Sequence, residues 1–301
     1  MLERYIYIAV LRPMSCSALP RAHGSIKHPR SSASYRSKAS CSTLGHEAQQ
    51  STARYKQPVP VVIVGAGPAG LTLSALLSQF GVPSVLLERV TALPTHPQAH
   101  FINLRTMEVL RHAFGGLDRA VLERCPPREE WRDFVVCSSL LGRQLARVDN
   151  FSGGEAERRA MSPTSVAHLS QNVLLPVLLQ EARHAAVAWC PSSQIILDAE
   201  ATGVRQARST NSLGNCPSHL EVLVRRRGGA AGGGATAIAC DYVVAADGAG
   251  SSVRASAGIG LSGRGGLGHL VNIHFRSKRL GRLLRAKGRR PGMLYFVYNE
   301  A

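Results

Sequence analysis

The chain has 301 residues, 45% hydrophobic and 18% charged, enough to bury the core of one large domain or two modest ones. No apolar run approaches the ~20 residues that a membrane-spanning helix needs. The formal net charge of +17 sits at the ends, with +7 in residues 1–57, +8 in 264–301 and only +2 in 58–263. That distribution argues against a nucleic-acid-binding fold and leaves two basic tails, solvated or touching RNA or anionic lipid.

Residues 1–57 hold ten Ser and nine Lys/Arg, with Glu3 and Glu47 as the acids. Arg-rich, Ser-rich and acid-poor is the composition of an organellar transit peptide, for mitochondrion or chloroplast. A disordered extension or a misplaced start codon is the alternative, and in each case the segment is set apart from the fold.

Residues 60–89 carry the strongest pattern. The unbroken apolar run 60–64 is expected of a parallel strand covered on both faces. Gly65-Ala66-Gly67-Pro68-Ala69-Gly70 follows directly and fits G-x-G-x-x-G. In that pattern the first glycine permits a tight turn, the second lets a pyrophosphate approach the backbone, and the third lets the helix pack close to the strand. Leu73, Leu76, Leu77 and Phe80 fall at i, i+3, i+4 and i+7, an apolar stripe to lay on a sheet. Gly81 and Pro83 stop the helix, and 84–88 form a second strand ending at Glu88, 18 residues past Gly70. A carboxylate there accepts hydrogen bonds from both hydroxyls of an adenosine ribose and repels a 2′-phosphate. Arg89 follows it. Strand, glycines, helix, strand and acid in this order predict a Rossmann-like dinucleotide site.

A loop with Pro94 and Pro97 comes next, then a helix capped by Asn103. His96 and His100 are four apart, but Pro97 between them argues against a helical metal site. The stretch His96-Pro97-Gln98-Ala99-His100-Phe101-Ile102-Asn103-Leu104-Arg105-Thr106-Met107-Glu108 resembles the corresponding segment of FAD-dependent aromatic hydroxylases, the phenol hydroxylase and p-hydroxybenzoate hydroxylase group of flavoprotein monooxygenases. The resemblance places Arg105 beside FAD, where a guanidinium fork suits a pyrophosphate. Gln98 departs from it, since the family commonly has Arg there.

Residues 117–124 read as a further helix, broken by Pro126-Pro127. Residues 134–137 and 145–148 read as a hairpin turning around Gly142, and in the resembling family such a hairpin belongs to the substrate side. Trp131 reads as packing. Ser170 is a candidate cap for a helix to about His184, in which Pro176 predicts a kink or a later start. The family has L-x-Q-x-x-L-E-P-x-L here. By that likeness Gln171 contacts the flavin cofactor, with a capping role as the alternative; Leu175 replaces the family's Glu. The runs 185–189 and 195–197 follow, the first expected to be the third parallel strand. Residues 220–224 alternate as a half-exposed strand, and the Gly-rich run 228–234 reads as a flexible hairpin tip.

The second strong signal is a buried strand over 241–246 ending at Asp247-Gly248, with a Ser/Gly-rich helix start behind it. Ligands of open α/β sheets bind at the carboxyl ends of strands, so Asp247 is expected to face the same crevice as Gly67. The segment resembles A-D-G-x-x-S-x-V-R of the flavin hydroxylases, whose Asp-Gly pair takes part in binding FAD and is linked to NAD(P)H use. A helix cap without a ligand is the alternative. Residues 270–275 read as a strand, 276–290 as a basic stretch with Leu280, Leu283 and Leu284 on one face, and 291–299 as the start of another strand.

The seven cysteines include no C-x-x-C pair, and their odd number predicts reduced thiols rather than disulfides or a zinc site. The expected architecture is α/β: a Rossmann-like FAD-binding domain over 58–263 with an inserted hairpin around 131–149, interleaved with part of an antiparallel substrate-domain sheet that begins at 264–301. The resemblance covers about 58–300 and stops before the family's G-D-A-A-H-type segment, so a truncated form is expected. It implies an aromatic hydroxylase using FAD, with NADH or NADPH as co-substrate, and O₂; no catalytic acid or base is named, because the cofactor carries the chemistry. Another FAD- or NAD-linked oxidoreductase, or an inactive remnant, are the alternatives.

Overall fold

The first apolar run becomes β1 (Val59–Val64), at the centre of a six-stranded sheet in the computed structural model. The structure describes residues 58–151, 160–208, 218–226, 236–264, 277–286 and 292–298, with the single positions 157, 273, 275 and 290. The transit-like segment 1–57, the Gly-rich run 228–234 and most of the strand expected at 270–275 lie outside the described residues.

β1 is flanked in parallel by β2 (Ser84–Leu87) and β10 (Thr236–Ala245). β7 (Gln194–Ile196) pairs in parallel outside β2. On the other side β9 (Ser218–Arg226) and β8 (Ala199–Arg208) add antiparallel strands, giving the order β7-β2-β1-β10-β9-β8. β10 divides its length between its neighbours: 236–240 pair with β9, and 240–245 with β1. This division corrects the expectation of a strand buried throughout. Ile238 and Cys240 are buried, but past the point where β9 stops pairing Tyr242 is 69% exposed and Val244 36%.

The third parallel strand is β7, not 185–189. Those residues are the last turns of α4 (Gln171–Trp189), because the stripe of buried Leu174, Leu175, Leu178, Leu179, Ala182 and Ala185 keeps helical spacing straight through them. The helix starts at Gln171 with Pro176 inside it on an exposed position, so no later start is needed.

The stripe expected on α1 (Pro68–Gln79) is also corrected. Gly70, Leu71, Ser74, Ala75 and Ser78 are its buried residues, while Phe80 is 79% exposed. Small side chains let the helix lie close against β1, and Leu73 and Leu77 pack at the margin of the core. That core, on one side of the sheet, joins α1, α4, α2 (Leu104–Ala113) and α3 (Leu117–Glu123) around Ile63, Leu71, Leu86, Met107, Val121 and Leu178. The opposite side packs Val62, Val64, Val85 and Leu87 against Ala201, Val222, Ile238 and Val253, the last from the short α5 (Ser252–Ser256). Asn103 caps α2 as expected, its side-chain oxygen accepting from Thr106 N at 2.9 Å.

The hairpin is present as β4 (Asp133–Cys137) and β5 (Gln144–Asp149), antiparallel. β11 (Leu294–Val297) joins β4 in parallel, so this sheet is mixed rather than wholly antiparallel. Buried Asp133 holds it together, with Arg147 at 2.6 Å and Arg132 and Arg290 each at 3.7 Å. A two-stranded ribbon, β3 (Phe101–Ile102) with β6 (Ala167–His168), lies between the two sheets in sequence, and α6 (Lys278–Arg285) precedes β11.

Candidate dinucleotide site

Three strand ends meet at the glycine turn. Gly65 N donates to Leu87 O at 2.8 Å at the end of β2, and Ala246 N donates to Val64 O at 2.8 Å beyond the end of β10. The turn is thus held between Glu88 on one side and Ala246-Asp247 on the other, at the carboxyl ends of the parallel strands where such sheets bind ligands.

The glycines divide by what excludes a side chain. At Gly65, φ is +105° and an added Cβ lies 2.5 Å from Ala246 O; at Gly70 it lies 1.9 Å from Gly65 O. Both are demanded by the protein itself. At Gly67 the nearest atom is 4.0 Å away, so nothing in the protein requires glycine there. The open space over Gly67, beside a backbone whose first helical residues include Pro68, is a cradle that a Cβ would fill and a pyrophosphate uses. Ala66 and Ala69 complete the turn, the first buried and the second exposed.

Glu88 has a role that sequence reasoning missed. Its Oε2 accepts from Ala66 N at 2.7 Å and its Oε1 from Val90 N at 3.1 Å. Its own backbone is fixed by β7 and β8, through Glu88 N to Ile196 O at 2.9 Å and Ala199 N to Glu88 O at 2.8 Å. The carboxylate therefore straps the glycine turn to the end of β2, and its remaining lone pairs are the ones available to a ribose. Arg89 beside it is exposed.

Asp247 follows the end of β10, directly after Ala246, whose N–H closes against Val64. Oδ2 accepts from Val253 N and the Ser252 hydroxyl, each at 3.3 Å, which braces the first turn of α5 beside its N-cap Ser251, while Oδ1 is buried without a hydrogen-bond partner. Burial pushes this carboxyl up, but the Ser251 hydroxyl and the backbone N–H groups of Val253, Asp247 and Ser252 outweigh it, holding Asp247 below its ordinary value and ionised. Gly248, at φ +84°, turns the chain away from the strand end.

Arg105 and Gln171 are not drawn into this constellation by any hydrogen bond or ion pair among the described residues. Arg105 is on α2, 84% exposed, and pairs with Glu108 at 2.7 Å. Gln171 opens α4, and its N–H donates to Ala99 O at 2.8 Å. Its side chain caps nothing among the described residues, and Ser170, the residue at the cap position, makes no side-chain cap either. The loop of Gln98-Ala99-His100 is thereby tied to the start of α4, also through Leu169 N to His100 O at 2.8 Å.

Behind that loop lies a cluster with no signature in the sequence. His100 and His168 have ring centroids 4.5 Å apart, His168 stacks on Trp131 at 5.3 Å, and Trp131 meets Phe151 edge-on at 5.0 Å. Burial, with the neighbouring His100 second, pushes the His168 imidazole down to about 4; burial also lowers His100. Trp131 is packing, as expected, with its indole N–H donating to Pro126 O at 3.0 Å.

A sheet with four parallel strands, carrying a glycine turn, a terminal acid and an Asp-Gly strand end at one crevice, defines a dinucleotide-binding protein. The chain belongs to the FAD binding domain family, whose model matches residues 58–294. It is 31% identical over 242 residues to 2,4-dichlorophenol 6-monooxygenase of Delftia acidovorans, covering 79% of this chain and 37% of that one. It is 34% identical over 220 residues to aklavinone 12-hydroxylase RdmE of Streptomyces purpurascens, covering 72% and 38%. Among solved structures it is similar to the flavin-dependent monooxygenase PieE in complex with FAD and substrate, with a TM-score of 0.59, 31% identity, and coverage of 70% of this chain and 34% of that one. The chain spans somewhat over a third of the length of these curated relatives. The dinucleotide is FAD, and the open cradle over Gly67 and the orphaned Oδ1 of Asp247 fit it.

Proposed function

We propose that the chain supplies the FAD-binding portion of a monooxygenase that hydroxylates an aromatic, phenol-like substrate with NADH or NADPH and O₂. The observation that carries this reading is the crevice in which Gly67 is open to a ligand, Glu88 sets the turn, and Asp247 presents an unpartnered carboxylate oxygen. The names of the relatives, phenol and polyketide-type hydroxylases, support the substrate class. Bound FAD supplies the electron transfer and oxygen activation; the protein orients it and shields it. In this scheme the Gly65–Gly70 turn and the start of α1 hold the pyrophosphate, and Glu88 holds the adenosine ribose. Asp247-Gly248 lines the crevice, while a flavin contact for Arg105, on α2, and Gln171, at the start of α4, rests on the likeness to the flavin hydroxylases. A mixed sheet of β4, β5 and β11 forms one wall of the substrate side. The composition of 1–57 supports import into an organelle, mitochondrion or chloroplast.

The test is spectroscopic first and kinetic second. Purified protein is expected to carry or take up FAD, seen as flavin absorbance and released on denaturation. NADH or NADPH oxidation is expected to accelerate when a phenol is added. Retention of NAD without flavin refutes the reading outright. FAD binding without any phenol-stimulated oxidation refutes the monooxygenase part and leaves a flavin-binding module.

A further inference from the structure

The strongest feature that the flavin reading leaves unused is the face of α6. Lys278, Arg279, Arg282 and Arg285 are all exposed, and none makes an ion pair or side-chain hydrogen bond among the described residues. The opposite face is anchored: Leu284 is buried, beside a cavity also lined by Leu140, Gly142 and Arg290, which seats the helix against the β4–β5 hairpin. The cations lie on the solvent side of the helix, away from the buried Leu284.

The neighbouring acids do not neutralise them. Asp133 is engaged by Arg147, Arg132 and Arg290, and Asp149 by Arg132. Residues 264–301 carry nine Lys/Arg against the single acid Glu300. Such a field requires an anionic partner or a shell of counterions.

Apolar groups decide which partner. Leu283 is 42% exposed at the border of the four cations, and Leu141, on the hairpin turn next to exposed Arg143, is 45% exposed. A nucleic-acid backbone gains from the cations and nothing from the leucines. The headgroup region of a bilayer takes both, the cations at the phosphates and the leucines beneath them. We infer that α6 and the adjoining hairpin turn form a docking surface for a membrane rich in anionic phospholipid, held reversibly. The inference is independent of the flavin chemistry, since none of these residues lies at the glycine turn.

The experiment is co-sedimentation of the full chain with phosphatidylcholine vesicles, with and without about 30 mol% phosphatidylglycerol. Binding is expected only with the anionic lipid, weakening as salt rises. The double variant Arg279→Glu/Arg282→Glu is expected to lose roughly 25-fold or more in vesicle affinity, at about fivefold per cation removed. Unchanged FAD retention in that variant shows an intact fold. Leu283→Ser keeps every charge and is expected to weaken vesicle binding several-fold while sparing any binding to heparin. Equal binding to neutral vesicles, or a double variant that binds like the parent because residues 1–57 carry the interaction, overturns the inference. So does binding to single-stranded RNA without binding to vesicles, which makes the patch a nucleic-acid surface.

Discussion

Replacing Glu88 tests the strap and the ribose contact together. The Oε2 bond to Ala66 N, 2.7 Å long, ends on a residue only 3% exposed. A charge-assisted bond in such a place is worth about 1.5–3 kcal/mol. The 3.1 Å bond from Val90 N lies nearer solvent and adds about 0.5–1 kcal/mol. Glu88→Ala should therefore lower folding stability by roughly 2–4 kcal/mol, measured by urea unfolding. Affinity for FAD should fall as well, since binding must then re-form the turn and forgo the ribose hydrogen bonds. A loss of about 1–3 kcal/mol corresponds to roughly 5- to 150-fold in Kd, measured by quenching of flavin fluorescence. Glu88→Gln keeps a single carbonyl-type acceptor and can satisfy only one of the two N–H groups, so it should fall about midway on both scales. An alanine variant within about 0.5 kcal/mol of the parent in stability, and with unaltered Kd, would show that the strap holds nothing and that FAD does not use this acid.

Two glycine variants separate ligand effects from folding effects. Gly67→Ala places its Cβ 4.0 Å from the nearest atom and should leave the thermal midpoint unchanged while weakening FAD roughly tenfold or more. Gly70→Ala drives a Cβ to 1.9 Å from Gly65 O and should cost at least about 2 kcal/mol of stability before any ligand is added. The same response from both variants in either assay would refute the division. For His168, the unfolded chain takes up the proton near 6.5, while the folded chain keeps the ring neutral down to about 4. The unfolded state then binds more protons in that window, so this contribution is complete above 6.5 and is lost as pH falls toward 4. Urea midpoints measured across the window should decline with acid, and His168→Phe, which keeps the stack on Trp131, should flatten the decline.

The parts of the fold that were legible in the sequence are those whose requirements are local. Gly65 and Gly70 are needed by the turn's own backbone, Asn103 caps the helix that follows it, and the hairpin turns at Gly142 where a short loop must. Other parts depend on partners distant in the chain. β8 mixes Glu200, Thr202, Arg205 and Gln206 with Ala199, Ala201 and Gly203, so it has no apolar run to announce it and forms because β9 pairs along its length. The run 185–189 is apolar enough for a strand, yet Ala182 and Ala185 extend the helical stripe set by the leucines before them. At the site, Glu88 was visible as an acid in the right place, but its grip on Ala66 was not, because that bond joins positions 22 residues apart. The His100–His168–Trp131–Phe151 cluster draws on four separate segments and leaves no spacing to recognise.

The divided pairing of β10 bears on the order of assembly. A ribosome delivers β1, the glycine turn and Glu88 early, yet the carbonyl of Ala246 that closes against Gly65 emerges more than 150 residues later. Until then β1 has a neighbour on one edge only, and the turn lacks one of its two walls. The nascent chain must hold an apolar strand open through the synthesis of both sheets' intervening segments, a high-contact-order closure that is slow and exposed to aggregation. FAD added during refolding should consequently act late, capturing a crevice that β10 has just completed rather than nucleating the strand and helix that bear its fingerprint.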